Sequence, residues 1–133
     1  MNRTRLASID PRQLCQIEIQ VSNLDRAEAF YAQAFGWPRV PADLHEYRVL
    51  QVPADCPFGI SLVPGKAEAG PPGSLLLYFA VDDPVSLLLK IEAYGGKKSS
   101  GPTAVAGYGF VYLCEDPDGT RFGLYSKTAA APS

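Results

Sequence analysis

From Gln16 to Val21 the chain alternates strictly between polar and apolar side chains. A period of two predicts a strand with one buried face, here that of Ile17, Ile19 and Val21, and Cys15 shares their parity as a core thiol. The period then lengthens. Leu24, Ala27, Phe30, Tyr31, Ala34 and Phe35 recur at helical spacing behind Asn23, whose side chain suits an N-cap; Gly36 and Pro38 stop the helix, and Phe30 and Tyr31 read as core packing. Tyr47–Val52 and Phe58–Val63 read as strands, parted by Pro53, Asp55 and Pro57. Residues 64–74 hold three prolines and three glycines, a linker composition. Beyond it Leu75–Val81 predicts an apolar strand, and Asp83 and Pro84 open a helix running through Val85, Leu87, Leu88, Leu89 and Ile91 to Tyr94. Gly95 and Gly96 end that helix, and the strands Tyr108–Cys114 and Arg121–Ser126 close the chain around an Asp116-Pro117-Asp118-Gly119 turn.

The two halves superimpose at a constant offset. Gln16 falls on Leu76, Val21 on Val81, Asn23 on Asp83, Tyr31 on Ile91 and Gly36 on Gly96. Strand, cap, helix and glycine stop repeat without a gap, which predicts two tandem βαβββ-like modules, an α+β fold. One domain is expected over residues 13–127, with modules 13–65 and 74–127 and a linker at 66–73.

Composition narrows the chemistry. The chain has 133 residues, 47% hydrophobic, enough for one core of its own. Its net charge of -2 comes from 12 basic and 14 acidic residues without a block of either sign, which argues against nucleic acid and against a basic membrane face. No apolar run approaches the roughly 18 residues of a membrane helix, and Arg3, Arg5 and Arg12 precede no apolar stretch of the kind a secretory signal needs. Three cysteines, Cys15, Cys56 and Cys114, stand far apart, which disfavours a disulfide framework and fits a reducing cytoplasm. A single histidine, His45, rules out a multi-histidine metal cluster within one chain. Gly107-Tyr108-Gly109 lacks the rest of a dinucleotide fingerprint, and the Asp116–Gly119 turn lacks the spacing and closing glutamate of a calcium loop.

Ile17-Glu18-Ile19, Ala27, Phe30-Tyr31 and Phe35-Gly36-Trp37 in the first module, with Val81-Asp82-Asp83, Gly95-Gly96, Asp116–Gly119 and Phe122-Gly123-Leu124 in the second, carry a resemblance. In this ordered set the chain resembles the glyoxalase, bleomycin-resistance and extradiol-dioxygenase (vicinal oxygen chelate) superfamily. The resemblance implies a curved mixed sheet with a ligand cleft on its concave face, and a homodimer. In metal-dependent members it implies a divalent ion held from matching strands of the two modules. The matching positions here are Gln16, Ser61, Leu76 and Gly123. An amide, a hydroxyl, an aliphatic group and a hydrogen make a poor donor set, so no metal and no other cofactor is expected.

Strand parity names the side chains on the cleft side: Gln16, Glu18 and Gln20, then Leu76, Tyr78 and Ala80, then Arg121, Gly123 and Tyr125. With Ser61 added, the expected ligand-binding set is Gln16, Glu18, Ser61, Leu76, Tyr78, Arg121, Gly123 and Tyr125, an apolar and aromatic floor with a few polar groups. Glu18 is the candidate catalytic base. Two readings stand for it: a carboxylate at work on a ligand, or one neutralised by Arg121. Trp37 likewise has two places open to it, beneath the sheet or lining the cleft. The expected function is binding of a small organic molecule by a chain without metal ligands. The alternatives are a lyase or isomerase using Glu18 or unrecognised metal ligands, and a dimeric interaction module with a vestigial pocket.

Overall fold

The computed structural model describes residues 13–41, 46–66, 69–105 and 109–128; His45, Gly107 and Tyr108 lie outside the described residues. Among these are seven strands and two helices in an α+β arrangement that falls into two compact units.

The first unit covers residues 16–76 and holds β1 (Leu14–Val21, from Gln16 on), α1 (Leu24–Phe35), β2 (Arg48–Val49) and β3 (Gly59–Pro64). β1 runs parallel to β3 in a register that sets Gln16 opposite Gly59, Glu18 opposite Ser61 and Gln20 opposite Val63; β2 pairs antiparallel on β3. The helix starts where Asn23 Oδ1 accepts the Arg26 N–H at 3.0 Å and stops at Gly36, whose φ of 73° is one that glycine adopts without strain. Leu24, Ala27 and Tyr31 carry it onto a core of Leu50, Val52, Ile60 and Leu62, joined by Ile19 and Val21. Arg48 ties β2 to the helix, its Nη1 lying 2.7 Å from Asp25 and 2.9 Å from Glu28.

Two expectations change here, and the open placement of Trp37 is resolved. Phe30 is 56% exposed rather than in the core. The apolar residues of α1 form two neighbouring stripes; only Leu24, Ala27 and Tyr31 meet the sheet, while the Phe30 ring turns outward onto Tyr31 and Phe35, with centroids 5.0 and 6.2 Å away. Trp37 belongs to the helix-side core and stacks on Phe35 at 4.8 Å. The predicted strand at 47–52 is regular only over Arg48–Val49, after which Leu50 and Val52 still reach the core.

The second unit comprises residues 77–128 with Gln13–Cys15, where the Ala80 N–H donates to Gln13 O at 2.8 Å. It holds β4 (Leu75–Ala80, from Leu77 on), α2 (Pro84–Ala93), β5 (Lys97–Val105), β6 (Gly109–Glu115) and β7 (Arg121–Ser126), in the order β4–β7–β6–β5. β4 is parallel to β7 and the other pairs are antiparallel. Asp83 caps α2, accepting from the Ser86 N–H at 3.2 Å and from Ser86 Oγ at 2.8 Å. Leu87, Leu88 and Ile91 lay α2 on Val81, Tyr112, Cys114 and Leu124, with Phe79, Phe110 and Phe122 around them. Asp116 Oδ1 organises the β6–β7 turn by accepting the Asp118 and Thr120 N–H groups, each at 2.9 Å.

β5 has no counterpart in the predicted elements. Its sequence, KKSSGPTAV, lacks alternation, contains Gly and Pro, and reads as a loop. It is an edge strand paired only to β6, with its register shifted around Ser100, so backbone bonding rather than side-chain burial defines it. Gly96 is not the helix stop that the repeat implied. α2 ends at Ala93, Gly95 takes the positive φ of 96°, and a Cβ on Gly96 would meet Glu115 O at 2.7 Å and Ile91 Cγ2 at 2.8 Å.

Burial raises the Cys15 thiol from 9.0 to about 12, and it raises Cys114 to about 11 against the opposing charge of Lys98. Their pKa values are higher in the fold than in the unfolded chain, so the unfolded state gives up its protons first. Stability is therefore full below pH 9 and lost as pH rises through about 11 and 12. Urea midpoints should fall across that window and less steeply in the Cys15→Ala variant; an unchanged slope in that variant contradicts the assignment.

Candidate functional site

The face of each unit turned away from its helix carries the predicted site residues. In the first unit β1 contributes Gln16, Glu18 and Gln20 and β3 contributes Gly59, Ser61 and Val63, because paired residues of parallel strands share a face. Gln16 and Ser61 come together: Gln16 Nε2 donates to Ser61 Oγ at 2.6 Å, and Ser61 is fully buried. Glu18 is half-buried opposite Ser61. Leu76, at the far end of this unit, is fully buried.

In the second unit Tyr78 faces Gly123 across the β4–β7 pair, and Ala80 faces Tyr125. Tyr78 and Tyr125 are both nearly buried. A Cβ on Gly123 would press against the Tyr78 ring, 2.9 Å from its Cγ and closer still to Cδ2 and Cε2. The ring therefore occupies the space a side chain at 123 would need. Arg121 is exposed, with Glu115 opposite it on β6. Among the described residues no three His, Cys, Asp or Glu side chains gather closely enough to hold a metal ion.

Gln20 is the residue that strand parity put on this face but that the expected site did not include. It is 1% exposed, and both ends of its amide, Oε1 and Nε2, lack a hydrogen-bond partner among the described residues. Its backbone is fully used, donating to Ser74 O at 2.9 Å and accepting from Gly73 at 2.8 Å. The signal for it was a third glutamine-or-glutamate position on one strand face, but burial of that face is a tertiary property that one strand does not encode.

The family model described as Glyoxalase/Bleomycin resistance protein/Dioxygenase superfamily matches residues 13–124, most of the chain. The chain belongs to this superfamily. Among solved structures, methylmalonyl-CoA epimerase from Mycobacterium tuberculosis aligns over 97% of this chain and 96% of its own with a TM-score of 0.66 at 19% identity. A hypothetical protein from Bacillus halodurans C-125 aligns over 93% and 100% with a TM-score of 0.67 at 15% identity. At such identities the likeness is one of glyoxalase-superfamily fold. Two curated relatives are the anthracycline biosynthesis proteins DnrV of Streptomyces peucetius, 33% identical over 73 residues, and DauV of Streptomyces sp. (strain C5), 32% identical over 73 residues. Each match takes in 55% of this chain and 26% of the relative, so the chain matches about a quarter of those proteins' length. No helix among the described residues is long and apolar enough to cross a membrane.

Proposed function

We propose that this chain is a superfamily member without the metal centre, which holds a small, largely apolar organic molecule against its helix-free sheet faces. The observation that carries the reading is the Tyr78 ring seated on Gly123, where the resemblance expects the glutamate that completes the metal site. The other matching positions point the same way. Leu76 is a buried hydrocarbon, and Gln16 and Ser61 are neutral groups spent on each other. Such a set does not fit a divalent ion, which prefers imidazole and carboxylate donors. The remaining lining of buried tyrosines with a few polar groups is that of an organic ligand site. The two anthracycline biosynthesis relatives favour a flat aromatic ligand.

A second reading, a metal-independent lyase or isomerase, is favoured by the position of Glu18, a half-buried carboxylate opposite a fully buried serine. It differs from the first by turnover that Glu18→Gln abolishes. In either case the chain works as a homodimer in the cytoplasm, as the resemblance and the reduced cysteines imply. Native mass spectrometry of the purified chain tests the proposal by weighing metal and organic adducts in one spectrum.

A further inference from the structure

We infer that Gln20 is the group that recognises the ligand, and that it selects an uncharged carboxamide or lactam edge; this rests on the reading of the helix-free face as a ligand surface. Buried polar side chains are almost always hydrogen-bonded, and an orphaned one calls for an explanation. Gln20 is orphaned at both ends of its amide while 1% exposed, two turns of the strand's alternation from Gln16, whose amide is satisfied by Ser61. The same strand face thus holds one amide engaged in the fold and one buried amide without a partner among the described residues.

A primary amide offers a donor and an acceptor side by side. Its full complement is another edge with one acceptor and one donor, as a carboxamide or lactam presents, joined by a pair of hydrogen bonds that burial strengthens. Gln20 is buried, so an ionised group placed against it would be costly to desolvate. Val63, paired with Gln20 on β3 and itself buried, sets an apolar group beside the amide. An uncharged amide edge on an apolar body satisfies both.

The experiment compares 2-naphthamide with its isosteric methyl ketone, 2-acetylnaphthalene, by isothermal titration against the full chain. The wild type should prefer the amide by about tenfold or more, the scale on which an unmatched buried donor or acceptor discriminates. In Gln20→Leu and in the more flexible Gln20→Met the preference should vanish while the ketone still binds, and both variants should melt no lower than wild type because an unsatisfied amide has been removed. Equal preference in wild type and both variants, or a bound water bridging the Gln20 amide in a ligand complex, overturns the role of Gln20 and leaves the ligand-binding reading intact. Failure of both probes to bind wild type, together with no organic adduct on the purified chain, overturns both.

Discussion

Tyr112→Ala should lower the unfolding free energy by about 3–5 kcal/mol, the range for truncating a buried aromatic. Tyr112 is fully buried in the middle of β6, between β5 and β7, and packs in the cluster of Val81, Cys114 and Leu124 beneath α2. Any cavity left where the ring stood adds to the lost transfer energy. In urea the midpoint should move down at constant slope, the sign of a stability change without a change in denatured state. A loss below about 1 kcal/mol would mean that the second unit's core is not built around this ring.

The second large effect is expected at Gly123. Gly123→Ala presses a methyl group against the Tyr78 ring, and overpacking of this kind costs about 1–3 kcal/mol. Gly123→Glu, which restores the acid expected of a metal-dependent member, should cost more, because its longer side chain needs the same space. The source of the penalty is separable. In a Tyr78→Ala background the ring is gone, so Gly123→Ala should become close to neutral, and the double-mutant cycle should show coupling of about 1–2 kcal/mol. Additive effects at the two positions would contradict the account of Tyr78 as the group that fills the site.

The elements that carry period-two or helical patterns with their own caps were legible in the sequence. β1, α1, α2 and β7 appear at or within two residues of their expected bounds, and Asn23 and Asp83 cap as their residue types predict. β5 was not, since an edge strand needs neither alternation nor apolar side chains, only a neighbour with free backbone groups. The outward turn of Phe30 was likewise hidden, because two adjacent apolar stripes on one helix do not say which of them meets the sheet.

At the candidate site, strand parity could name Gln16, Tyr78 and Gly123, and the family resemblance named Ser61; the strand registers set Gln16 on the same face as Ser61, and Tyr78 on the same face as Gly123. What parity cannot give is distance across strands. The Gln16–Ser61 bond depends on the β1–β3 register, and the cover of Gly123 by Tyr78 depends on β4–β7 register. The orphaned Gln20 amide emerges only once the burial of its face is known.

The most direct test of the metal-free reading is native mass spectrometry of the chain purified without chelator, repeated after supplying zinc, nickel, iron and manganese. The account predicts no stoichiometric metal in either spectrum, the same melting temperature with and without a chelator, and an organic adduct lost on denaturation. A mass increment of one metal ion per chain that disappears in Gln16→Ala or Glu18→Ala would contradict it.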